Sequence, residues 1–294
     1  MQQASATTWL TKGAGAAALL LLACGLATAH FGAALQQPAV TTRDGSLVTL
    51  NRYVREEVPD IVLVGSSVTW RLKEQYFSLP RVRNLALAGG SPLTGLEIVV
   101  AQPRLPKLVL IESNILTRET DAALVARFSG GPAAQTLWLR PVRSLVAALE
   151  TWTHAPPSPA QARAEQQRLL GLPPATFDNR VYRDRAVAQM NEGDAAAPVR
   201  ANVLRIRELI EEIERRGSRV RLIQIPFDPE IERSRLVASS RQIVRAAFPD
   251  DTTWLTIDPP RSELRWADGV HLDERSALLV VRAIEAALGA AAAR

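Results

Sequence analysis

The chain has 294 residues, enough for one sizeable α/β domain plus an additional segment, and its 47% hydrophobic and 22% charged residues are ordinary for a folded protein. The net charge of +5 comes mostly from arginines spread among glutamates over helical patterns, which reads as solvated faces and argues against a basic nucleic-acid stripe. A single cysteine, Cys24, excludes an internal disulfide, and the three scattered histidines offer no metal-ligand spacing.

From Gly13 to Leu35 no Asp, Glu, Lys or Arg occurs, and Ala16 to Leu26 is strongly apolar. A span of this length crosses a bilayer as one helix. Lys12 precedes it and Arg43 and Asp44 follow well beyond it, a weak bias that puts the N-terminus in the cytoplasm and the remainder on the far side. Three readings stand. Residues 13–35 form an uncleaved single-pass anchor in a bacterial inner membrane, with the domain in the periplasm; or a cleaved signal peptide; or a lipoprotein signal at Leu21-Leu22-Ala23-Cys24. The anchor is preferred, and the apolar run that continues past Cys24 to Leu35 argues against the lipoprotein reading. Residues 1–36 are therefore read as anchor or signal, and 37–59 as a linker and a lead-in helix from Leu47 to Glu57. Residues 60–294 make the domain.

Within that domain short β-branched runs alternate with helical patterns. Ile61–Val64, Val82–Leu87, Lys107–Ile111 and Arg219–Ile225 read as buried strands, and Trp254–Ile257 as a weaker fifth. Helical spacing covers Thr69–Tyr76, Leu93–Gln102, Val199–Arg216, Glu230–Ala247 and Glu274–Leu288, ahead of an Ala-rich tail. The alternation predicts an α/β fold, a flavodoxin-like, three-layer, doubly wound parallel sheet of about five strands. Residues 117–198 interrupt the rhythm with helical patches at Asp121–Phe128, Thr136–Trp152 and Pro159–Leu170, and read as a helical insertion leaving the carboxyl end of the third strand.

In such a sheet, function gathers in loops beyond the carboxyl ends of the strands. The first strand ends in Gly65-Ser66-Ser67, the second leads to Gly89-Gly90, and the third ends in Glu112-Ser113-Asn114. Asp268-Gly269-Val270-His271-Leu272 precedes the last helix. These loops offer a hydroxyl, a glycine amide, an Asn amide and an Asp-x-x-His pair. Acyl transfer needs a serine, a histidine to take its proton, a carboxylate to hold the imidazole, and fixed donors for the oxyanion. His271 is the only well-placed base, since His30 lies in the apolar segment and His154 in the insertion.

At these residues the chain resembles the SGNH, or GDSL-like, hydrolase superfamily from about Asp60 to Leu288, the insertion excepted. The resemblance implies Ser67 as nucleophile and Asp268 and His271 as its acid–base partners. Ser67, Gly89 and Asn114 become the oxyanion donors, with Gly90 an alternative to Gly89. It also implies an exported acyl-handling enzyme, an acetyltransferase or acetylesterase on a polysaccharide or envelope glycan, beside a membrane-bound synthase or acyl-transfer partner. Two blocks depart from the usual wording: Gly-Asp-Ser is Gly65-Ser66-Ser67, and Gly-x-Asn-Asp is Glu112-Ser113-Asn114-Ile115. Those departures count against a generic lipase or esterase and keep open a non-catalytic accessory protein that binds glycan or a membrane partner; a periplasmic esterase or lysophospholipase stands as the other reading among enzymes.

Ser66 reads as a helix cap, Glu112 as a salt-bridge partner, and Trp70 and Trp266 as packed aromatics rather than a sugar platform. No metal, cofactor or phosphate-binding loop is indicated.

Overall fold

The structure, a computed structural model, describes residues 2–31, 41–130, 157–176, 178–193 and 195–292. Helix α1 (Gln2–Phe31) includes Ala6–Leu26, a stretch of mean hydropathy 1.5 with no buried residue. It is long and apolar enough to be a membrane anchor or a signal sequence. Lys12 lies inside this helix, ahead of the uncharged run from Gly13.

Helix α2 (Thr42–Arg55) starts earlier than its apolar spacing suggests, because Thr41 and Asp44 form a capping box. The linker expected to reach Ser46 therefore ends by Thr41. Leu50, Tyr53 and Val54 on its inner face are buried in the core.

The sheet has four parallel strands, β1 (Ile61–Val64), β2 (Val82–Asn84), β3 (Leu108–Glu112) and β4 (Arg219–Ile223), in the order β2-β1-β3-β4. The expected fifth strand shrinks to one parallel bridge, Leu222 with Trp254, where Leu255 N–H donates to Leu222 at 2.8 Å. A 3₁₀ turn at Asp251–Thr253 leads into it and Pro259-Pro260 follow. Proline has no N–H to extend a ladder, so the edge stops there.

Alternation along the strands sends residues to two cores. Val62, Val64, Val109, Ile111, Val220 and Leu222 join one cluster with α2, α4 (Pro92–Val100) and α8 (Ala196–Arg215). Leu63, Leu108, Leu110 and Ile223 join the other with α11 (Glu274–Ala292). Both faces of the parallel sheet are thus covered. Helix α8 buries Val199, Val203, Ile206, Ile210 and Ile213, a stripe at three- and four-residue spacing.

Several expected helices are re-cut. The pattern at Thr69–Tyr76 becomes a single-turn helix α3 (Ser67–Trp70) and a 3₁₀ turn at Glu74–Tyr76. Glu230–Ala247 splits into α9 (Pro229–Glu232) and α10 (Arg235–Ala247), broken at Ser234, whose backbone is extended. The tail after Leu288 continues as helix to Ala292, as alanine favours.

In the insertion, α5 (Ala122–Phe128) and α6 (Pro159–Gly171) match expectation, and Thr136–Trp152 lies outside the described residues. A further helix, α7 (Arg180–Asn191), carries no fully buried residue, so its apolar pattern is too sparse to read. It packs Ala186, Val187 and Met190 against the second core.

Candidate active site

The turn from β1 into α3 is built on two serines with different tasks. Ser66 is fully buried and caps α3, accepting from Val68 N–H at 3.3 Å. Ser67, half-buried, is the first residue of α3.

Beneath them lies Glu112, the last residue of β3, with no solvent exposure. One carboxylate oxygen accepts from Ser66 N–H (2.8 Å), Thr69 N–H (3.2 Å) and Thr69 Oγ1 (2.7 Å), and the other from Ser66 Oγ (2.8 Å). The expectation of a salt bridge is corrected: among the described residues Glu112 has no ion pair, and hydrogen bonds alone satisfy it. This packing requires Gly65, since a Cβ there would lie 2.5 Å from Thr69 Oγ1 and 2.7 Å from Glu112 Oε2. Asn84, at the end of β2, secures the far side of the turn by donating to the carbonyls of Thr69 (2.7 Å) and Leu72 (2.8 Å).

The Asp-x-x-His segment folds back on itself. Asp268 Oδ1 accepts from the N–H groups of Val270 (3.0 Å) and His271 (2.8 Å), which leaves Oδ2 to meet His271 Nδ1 at 2.7 Å. Gly269 makes the turn with φ +87°. The other ring nitrogen, Nε2, lies 2.8 Å from Ser67 Oγ. Ser67, His271 and Asp268 thus form one continuous hydrogen-bonded chain, although Ser67 and His271 are far apart in sequence.

Partial burial raises the Asp268 pKa, but the hydrogen bonds from the His271 ring and backbone outweigh it and hold the carboxyl down at about 2. An ionised Asp268 can only accept, so Nδ1 carries the ring proton and Nε2 presents its lone pair to the Ser67 hydroxyl.

Two more loops face the same edge. Gly90 N–H closes a turn onto Leu87 at 2.8 Å, whereas Gly89, with φ +76°, has no hydrogen-bond partner for its N–H among the described residues. Gly89 rather than Gly90 is therefore the glycine with a spare donor. From the Ser66 cap through α3 the amides of Ser66, Val68, Thr69 and Trp70 are all engaged, and that of Ser67 has no partner among the described residues. Asn114 is buried; its amide donates to Ile225 O (2.6 Å) and its carbonyl accepts from Ile225 N–H (2.8 Å). It braces the loop after β4 and keeps one of its two N–H groups unassigned.

A cleft of about 410 Å³ opens beside the Gly89 turn, lined by Thr42, Ser91, Arg118 and Asp121 among others. Trp266 is buried, with Nε1 donating to Pro226 O at 2.9 Å, as expected of a packed aromatic. Trp70 is not packed: it is 47% exposed, three residues beyond Ser67.

The insertion touches the Asp268–His271 loop directly. Asn179 donates to Trp266 O at 2.6 Å, and the Arg183 stem lies against Gly269. Helix α6 is anchored through Gln166, which donates to Gln75 O at 2.7 Å and accepts from Arg282 at 2.7 Å.

Glu112, Thr69, Asn84 and Asn179 were not readable as parts of the site. The one available signal was an acidic residue closing the apolar run of β3. Among the described residues no cluster of His, Cys, Asp or Glu could hold a metal ion. No protein-family model and no curated protein matches the chain.

Proposed function

We propose that the protein is a membrane-anchored serine acyl-transfer enzyme of SGNH type, on a flavodoxin-like doubly wound sheet. It handles acetyl or similar acyl esters on an exported polysaccharide or envelope glycan. The observation that carries this reading is the chain from Ser67 Oγ through the His271 ring to Asp268, with contacts of 2.8 and 2.7 Å. A serine is a weak nucleophile until a base takes its proton, and this chain supplies the base in the required tautomer.

Ser67 Oγ attacks the ester carbonyl carbon while its proton passes to His271 Nε2, and Asp268 stabilises the imidazolium. The oxyanion that develops accepts from the spare N–H groups of Ser67 and Gly89 and from the second N–H of Asn114. Loss of one such donor typically costs about 10²–10³ in kcat. Collapse breaks the ester bond, and His271 returns the proton to the departing alkoxide, leaving an acyl group on Ser67. A sugar hydroxyl or water, deprotonated by His271, then attacks the acyl carbon; the Ser67 Oγ–acyl bond breaks and His271 returns the proton to Ser67 Oγ.

The helix α1 supports a tethered enzyme acting near a membrane-bound synthase or acyl-transfer partner, with the domain on the periplasmic side. The test uses the full chain in detergent with an aryl acetate. Wild type is expected to release acetate, and Ser67→Ala and His271→Ala are each expected to abolish release. Activity that survives both substitutions refutes the triad. Faster transfer to an oligosaccharide than to water favours the transferase, and binding of glycan without turnover favours the accessory-protein reading.

A further inference from the structure

Glu112, at the end of β3, meets the turn that carries Ser67. Ser66 Oγ donates to Glu112 at 2.8 Å. The geometry points to a task for this buried carboxylate in holding the nucleophile's turn. In this position Glu112 is a positioning residue for Ser67. This rests on the acyl-transfer reading above.

Glu112 grips the residues on either side of Ser67, taking both the N–H and the hydroxyl of Ser66 and of Thr69. Two rigid neighbours fix where Ser67 Oγ points, which is at His271 Nε2, 2.8 Å away. The grip also absorbs the N–H groups of Ser66 and Thr69, and Ser66 Oγ absorbs that of Val68. The N–H of Ser67 is left to a ligand. A buried carboxylate with no cation paired to it among the described residues is costly, and an apolar residue would fill the space at less cost if packing were the only demand. Gly65 agrees, because any larger side chain there would displace Thr69 Oγ1 and Glu112 Oε2 together.

The positioning role predicts a loss in kcat. Glu112→Gln keeps shape but turns an amide NH₂ toward donors. With full-length protein in detergent and an aryl acetate, kcat is expected to fall about 10²-fold at nearly unchanged KM, the penalty typical of a misplaced reacting group.

Glu112→Gln with kcat within about threefold of wild type overturns the positioning role. If Glu112→Gln does not fold, Thr69→Val removes one donor without changing shape and is expected to lower kcat about tenfold, the loss of one hydrogen bond to a charged group. Unchanged kcat in Thr69→Val counts against the proposal.

A crystal structure of Glu112→Gln, or of Thr69→Val, separates the two readings. Ser67 Oγ is expected to leave hydrogen-bond reach of His271, and retention of the 2.8 Å contact overturns the positioning role even if wild type proves inactive. An inactive wild type whose contact is lost in the variant sinks only the acyl-transfer reading.

Discussion

Replacing Gly65 by alanine probes the tightest spot in the site. Gly65 is not among the glycines with positive φ, so the backbone accepts alanine and only space is at issue. The added Cβ would lie 2.5 Å from Thr69 Oγ1, 2.6 Å from Thr69 Cβ and 2.7 Å from Glu112 Oε2. Real Cβ contacts do not come under about 3 Å, so Thr69 and Glu112 must move apart. Overpacking of this kind costs about 1–3 kcal/mol. The shift also weakens the 2.7 Å bond from Thr69 Oγ1 to Glu112. A hydrogen bond to a charged group is worth about 1.5–3 kcal/mol. Together they predict a loss of about 3 kcal/mol. In a domain of this size each kcal/mol moves Tm by about 2–4 °C, so Tm should fall by about 6–12 °C. Thermal melts followed by circular dichroism read this directly. Gly171→Ala is the control, since nothing lies within 4 Å of its Cβ, and it should leave Tm unchanged or slightly raised. A Gly65→Ala protein melting within about 1 °C of wild type would refute the packing argument around Glu112.

Asp268→Asn removes the acceptor that sets the His271 tautomer, and kcat should fall by about 10⁴ while the circular dichroism spectrum is retained. Asp268 is held at about 2 against an ordinary 3.8, so its contribution to stability is complete above pH 3.8 and is lost as pH falls toward 2. Melts from pH 7 to pH 2 should lose this contribution only in that lowest interval in wild type, and the Asn variant should lack that step. Gly269→Ala should be destabilising and less active together, because φ is +87° and the new Cβ would lie 3.0 Å from Arg183 Cγ. Equal Tm and kcat in that variant would contradict the bracing of the Asp268–His271 loop by α7. For the N-terminal helix, the chain should stay in the membrane pellet after alkaline washing. An alkaline phosphatase fusion after Ala292 should be active in a bacterial host, and an inactive but stable fusion would reverse the orientation.

Much of the site was legible because its parts are local. Asp268 and His271 are three residues apart, and the turn that joins their side chains is written in Asp268-Gly269-Val270-His271 itself. Ser67 follows a β-branched run and a glycine, a strand-to-helix turn readable from those few residues. The parallel sheet and its two covered faces follow from the alternation of short apolar runs with amphipathic helices, since strands buried on both faces need cover on both. The N-terminal helix follows from hydropathy and length alone.

The tertiary structure decided what depends on distant residues meeting. Glu112 read as a salt-bridge partner and became a hydrogen-bonded peg, because its partners, Ser66 and Thr69, come from another strand end. Trp254 read as the start of a strand and kept one bridge, because the flanking 3₁₀ turn and prolines limit the edge. Trp70 read as packed and proved exposed, since helical spacing cannot tell which side of a single-turn helix meets another element. The insertion read as a set of patches; its packing of Asn179 and Arg183 on the Asp268–His271 loop depends on contacts made across long stretches of chain. Local spacing determined which groups this protein carries, and long-range packing determined which of them meet.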